Sequence, residues 1–154
     1  MAKLKINGKD ELLALSGQEV ALSDWFVVTQ ELITGFAELT GSMQWIHLDV
    51  ERCQRELPDQ APLAHGLLVL SLLPQIRQQT FDFPDSRMNM NYGYDKVRFT
   101  GPVPAGSRIR AGYRLSRCER KGDSEVITQW TITTWRDGVE KPVLVAEFLL
   151  RFIF

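Results

Sequence analysis

The chain reads as an α+β domain in which an antiparallel sheet curls around one buried helix. Three observations predict this. From Leu67 to Leu73 every residue except Ser71 is apolar, so no face of that stretch is left for water. The alternating, β-branched and aromatic segments are all gathered in the last third of the chain. The amphipathic helical signals come early, and strands that follow helices in this way favour segregated layers over alternating βαβ units.

The apolar stretch extends to Leu63–Ile76. As a helix it would be about 20 Å long, well short of the ~20 apolar residues of a membrane span. Its wrapping must therefore be protein. Periodicity alone leaves a buried strand open, but a Leu-rich, weakly β-branched composition favours helix. Pro74 is expected to end or kink it.

The chain's 154 residues are enough for one domain with a substantial core. With 18 basic against 19 acidic residues, the formal charge of −1 gives no global attraction to nucleic acid or an anionic membrane. Cys53 and Cys118 fit neither a metal spacing nor a disulfide framework, which suggests reduced thiols and a cytoplasmic setting. The basic start at Met1–Ile6 is not followed by an apolar signal core before Asp10 and Glu11.

In chain order, Glu11–Leu15 suggests a short helix closed by Gly17. Thr29 can cap a helix with apolar positions Leu32, Ile33, Phe36 and Ala37, Glu31 in its first turn and Gly41 at its end. A loop from Ser42 to His47 is expected next, then a helix from Val50 to Leu57 capped by Asp49. Pro58 to Pro62 links this to the central helix.

Beyond the central helix, Gln78 to Asn91 is polar, contains Pro84 and reads as a long irregular excursion. Strands account for the remainder. In Ser107–Arg117, Ile109, Ala111, Tyr113 and Leu115 alternate with Arg108, Arg110 and Arg114. Lys121-Gly122-Asp123 is a turn, Val126–Trp135 is a second strand, and Asp137-Gly138 signals a hairpin into a third. On that last strand Leu144, Ala146, Phe148, Leu150, Phe152 and Phe154 share the face that would cover the helix.

Several ordered blocks carry a family resemblance: Phe36-Ala37-Glu38-Leu39-Thr40-Gly41, Gln44-Trp45-Ile46-His47-Leu48-Asp49, Ala64-His65-Gly66, Asn91–Phe99 and Val103-Pro104-Ala105-Gly106. Together they resemble the MaoC-like hydratases and dehydratases, in particular their NodN-like branch, from about Gly17 to the C-terminus. The resemblance implies a hotdog fold, commonly a homodimer with sheets joined edge to edge. It implies (R)-specific hydration of trans-2-enoyl thioesters, or the reverse dehydration, in fatty-acid-type metabolism, on acyl-CoA or acyl-carrier-protein substrates and without metal or cofactor. The family's catalytic pattern is an Asp, a His five residues later, and the glycine that opens the central helix. His47 and Gly66 match it. The Asp position is Ser42.

A hydratase must position a water, accept its proton, protonate the substrate α-carbon and stabilise an enolate oxygen. His47 titrates near neutrality and suits the proton work, although a lone loop histidine also serves as a structural hydrogen-bonding group. The backbone N–H of Gly66, at a helix start, suits the enolate, while the plainer reading of that glycine is close packing. Ser42 can bind water but is no carboxylate base, and losing a general base costs roughly 10²–10⁴-fold.

Asp95 is a candidate replacement base, with pairing to Lys96 or Arg98 the plainer reading. Substrate contacts are expected from Gln44, Ala64, His65, Asn91, Tyr92 and Gly93, with shaping the entry into the following strand an equal reading for the last three. His65 is expected mainly to fix the turn into the helix, and Trp45 to pack in the core. Arg108, Arg110 and Arg114 could meet CoA phosphates or simply form a solvated face. The alternative function is a non-catalytic acyl-thioester binding protein. A thioesterase is disfavoured, because hotdog thioesterases usually place a carboxylate on or beside the central helix and Leu63–Ile76 has none.

Overall fold

A computed structural model describes residues 2–154 and has the expected α+β architecture, a sheet wrapped around a central helix. After a two-residue strand β1 (Leu4–Lys5), helix α1 spans Gly8–Ala14 and buries Leu12. Gly17, at φ 83°, makes the turn into β2 (Gln18–Leu22), and β3 follows at Phe26–Val27. Helix α2 (Gln30–Thr40) begins where Thr29 accepts from the Leu32 amide and ends at Gly41, whose φ of 71° is the left-handed cap that glycine tolerates.

Short helix α3 (Trp45–Leu48) replaces the expected loop. Helix α4 (Val50–Glu56) is capped by Asp49 as read, the carboxylate accepting from the Arg52 amide at 3.0 Å. The central helix α5 runs Gly66–Thr80, past Pro74. An internal proline costs about 3 kcal/mol. Burying Leu72, Leu73 and Ile76 around it contributes about 1.5–3 kcal/mol each, so packing outweighs the local penalty. The irregular excursion expected from Gln78 to Asn91 is accordingly short, because helix continues through Gln78 and Gln79 to Thr80, β4 (Phe81–Asp82) follows, and β5 begins at Met88 and ends at Phe99.

β6 (Arg108–Arg120), β7 (Glu125–Arg136) and β8 (Leu144–Ile153) lie where the alternation placed them. Their strand order is β2-β6-β7-β8-β5, with β3 also on β6, while β1 and β4 form a small parallel pair. Ile109, Ala111, Tyr113 and Leu115 of β6 face inward, as do Val126, Trp130 and Ile132 of β7 and Leu144, Ala146, Phe148, Leu150 and Phe152 of β8. They enclose Leu68, Val69, Leu72, Leu73 and Ile76 of α5 in one core. The opposite sheet face carries Arg108 paired with Asp137, and Arg114 paired with Glu19 at 3.4 Å. Arg110 lies 4.5 Å over the Trp25 ring. No helix among the described residues is long and apolar enough to cross a membrane.

Candidate active site

The N-terminal end of α5 meets the end of α2 and the short α3. Gly41 turns the chain back after α2, which brings Ser42 and then His47 beside the segment Leu63–His65. That segment is held on both sides. The Leu63 amide donates to the Ile46 carbonyl at 2.8 Å, the Ala64 amide to Val103 at 2.8 Å, and the Ala105 amide to Pro62 at 2.7 Å.

Two imidazoles result, stacked face to face with ring centroids 3.5 Å apart and planes 24° apart. His47 is 7 % exposed and its Nδ1 lies 2.6 Å from the Leu63 carbonyl oxygen. A carbonyl can only accept, so Nδ1 carries the hydrogen, and in the neutral ring Nε2 is left as the basic atom. His65, also 7 % exposed, places Nε2 3.1 Å from the Ser42 carbonyl, so its hydrogen is on Nε2 and its Nδ1, which has no partner, is the acceptor. Burial lowers the pKa of His47 below the ordinary histidine value; the Leu63 contact opposes this and the facing His65 adds to it. His47 is therefore neutral at pH 7 and competent as a base.

These groups line a cavity of about 430 Å³ with Phe36, Thr40, Ser42, Gly66, Leu67 and Phe99. Gly66 is the first residue of α5, where backbone N–H groups have no partner within the helix. A Cβ built on it would come within 2.8 Å of the Phe99 ring, so glycine is also required for Phe99 to lie against the helix start. The packing and functional readings of Gly66 thus hold together.

Of the residues singled out in the sequence, the fold brings Ser42, His47, His65 and Gly66 to this cavity. Ala64 lines a neighbouring apolar cavity of about 110 Å³ that shares Gly66 and Phe99 as walls. Gln44 precedes α3 in an exposed position, with no side-chain capping bond, and Asn91, Tyr92 and Gly93 sit on β5, outside the cavity lining. Asp95 is held on the sheet by Gln129, whose Nε2 donates to its Oδ2 at 3.0 Å, and does not reach the histidines. Trp45 carries Arg52 over its ring at 4.0 Å. Phe36, Thr40, Leu67 and Phe99 join the site through tertiary packing; Phe36, Thr40 and Phe99 lie within motif blocks, and Leu67 does not.

A family model described as MaoC like domain matches residues 12–136. The chain belongs to the MaoC-like domain family. Among curated relatives of this MaoC-like chain, 3-hydroxyacyl-thioester dehydratase Z of Mycobacterium tuberculosis is 40 % identical over 143 residues, covering 93 % of this chain and 94 % of the relative. Nodulation protein N of Rhizobium leguminosarum is 39 % identical over 141 residues, covering 86 % and 83 %. In structure, an (R)-hydratase from A. caviae superposes with a TM-score of 0.68 at 20 % identity over 88 % of this chain and 94 % of the other, which shows the shared fold.

Proposed function

We propose that this MaoC-like protein is an (R)-specific hydratase of trans-2-enoyl thioesters, or the corresponding 3-hydroxyacyl-thioester dehydratase. The observation that carries the reading is the fixed tautomer of His47: with Nδ1 committed to the Leu63 carbonyl, the basic Nε2 belongs to a buried, neutral ring on a cavity that also holds a helix N-terminus. In the hydration direction the water oxygen bonds to C3 while its proton passes to His47 Nε2. The C2=C3 electron pair moves toward the thioester, and the enolate oxygen is received by the free amide of Gly66. The imidazolium then returns the proton to C2, which restores the neutral ring. All atoms of water are retained in the product.

Ser42 stands where the family pattern has a carboxylate. Its hydroxyl can orient water but cannot share the proton work, and a missing general base costs roughly 10²–10⁴-fold in rate. The second reading follows from that residue: a protein that binds acyl thioesters without turning them over. A homodimer joined along β5, which ends the sheet, fits either reading.

The test is the absorbance change on mixing the protein with a short and a longer trans-2-enoyl-CoA, with His47→Ala and Ser42→Asp run in parallel. Turnover that His47→Ala abolishes supports the hydratase. A silent native protein that gains turnover on Ser42→Asp supports the binding protein.

A further inference from the structure

The central helix carries a buried charge that the reaction above does not use. Arg77 is 6 % exposed, near the end of α5. Its Nη2 donates to Asn89 Oδ1 on β5 at 3.0 Å, while its Nε has no acceptor. The groups that bear on it electrostatically are the hydroxyls of Tyr94 and Tyr113. No Asp or Glu pairs with it among the described residues. A guanidinium taken out of water without an anion is strongly disfavoured. Arg77 therefore lacks a counter-ion and retains free donors.

Its position on the helix indicates what could supply that ion. Gly66, Leu70, Leu73 and Arg77 are spaced four, three and four residues apart, a single stripe of the helix. Arg77 lies only about 20° around the axis from Gly66 and ~16 Å along it. β5 borders the same stripe at both ends, with Phe99 on Gly66 and Asn89 on Arg77. Between these contacts the side chains are apolar or aromatic, Leu70 and Leu73 from the helix and Tyr94 and Val97 from the strand, with Leu73 in the core and the other three partly buried against it.

We infer that an acyl chain lies along this seam between α5 and β5, and that Arg77 with Asn89 binds a carboxylate on the chain's tail. The inference rests on the reading of the His47 cavity as an acyl-thioester site. A chain held by its thioester at Gly66 and laid along the stripe would end at a fork of N–H donors, Nε and an Nη group, whose geometry matches a carboxylate's two oxygens. The favoured substrates are thus ω-carboxyacyl thioesters rather than methyl-ended ones.

The experiment compares trans-2-enoyl-CoA pairs of equal carbon number, methyl-ended and ω-carboxylate-ended, over short, medium and long chains. It uses the native protein, Arg77→Met, Arg77→Lys and Asn89→Leu. Calorimetry with the saturated analogues gives the same ratio without requiring turnover. In the native protein the carboxylate series should be preferred at one chain length by roughly ten- to a hundredfold, the span expected of a hydrogen-bonded charge. Arg77→Met should abolish that ratio, and Arg77→Lys should keep part of it. A native preference for methyl ends at every length, or a ratio that Arg77→Met and Asn89→Leu leave unmoved, overturns the inference while leaving the hydratase intact. Absence of both turnover and binding for either series overturns the acyl-thioester reading, and this inference with it.

Discussion

His47 and His65 lie ring on ring with centroids 3.5 Å apart, and each spends its one ring hydrogen on a carbonyl of a different segment, Leu63 for one and Ser42 for the other. The contact with Leu63 leaves Nε2 as the basic nitrogen of the neutral His47 ring, and protonating His47 would place a cation against the facing His65 in a mostly buried setting.

That arrangement fixes a pH dependence. The folded-state pKa of His47 lies below its ordinary value near 6.5, so the unfolded chain binds the proton more tightly. The stability contributed by the neutral ring is present in full above about pH 6.5. It is lost as pH falls through the lower folded-state value. Activity that depends on the neutral base should be flat above the same point and fall only on the acid side. Urea midpoints and kcat/KM measured across pH 5–8 check both, and His47→Gln should remove this component of the stability profile.

Ser42→Asp should raise turnover by about 10²-fold or more if the missing carboxylate is the handicap. The new charge beside the stack should also raise the His47 pKa, which an NMR titration of the imidazole reads independently of rate. Equal activity in both proteins would remove Ser42 as the limiting residue.

Gly66→Ala should lower stability by about 1–3 kcal/mol, because its Cβ meets the Phe99 ring. Adding Phe99→Ala should relieve that conflict, giving a favourable coupling in a double-mutant cycle. The enolate role has its own variant. Proline is tolerated at the first helical position, and His65, at φ −60° and ψ 137°, already has the extended conformation that precedes proline. Gly66→Pro with Phe99→Ala deletes the amide hydrogen, and its kcat should fall about 10²–10³-fold below that of Gly66→Ala with Phe99→Ala.

Arg77→Met should leave the urea midpoint unchanged or raise it, since it removes the desolvation cost of a buried charge that has no counter-ion. A large loss would mean that the Asn89 contact holds β5 in place.

Neutralising Arg108, Arg110 and Arg114 together should leave CoA affinity unchanged within about twofold, an energy difference of ~0.4 kcal/mol by titration calorimetry. Arg108 and Arg114 are occupied by Asp137 and Glu19, and Arg110 by Trp25. A loss of tenfold or more would restore the phosphate role.

The parts of the fold legible in the sequence are those whose local chemistry agrees with their burial. Thr29 and Gly41 bracket α2, Asp49 starts α4, and the alternation of β6 and β8 matches their inward faces residue by residue. β1, β3 and β4 were not legible, because two residues make no period. The start of β5 was hidden by its Met-Asn-Met-Asn composition, and the path through Pro74 is decided by packing that no local rule reports. In the site, His47, His65, Gly66 and Ser42 could be named from spacing and motif. The stacking of the two histidines, and the arrival of Phe99 from β5, belong to tertiary structure alone.

The segment Pro62–Ala64 is fastened to α3 on one side and to the loop before β6 on the other, and it feeds directly into His65 and Gly66. It therefore works as a ruler of fixed length. One residue added or removed between Pro62 and Gly66 would slide the helix start past His47. Both rings could remain folded in such a variant, but the amide of Gly66 and Nε2 of His47 would no longer address the same substrate.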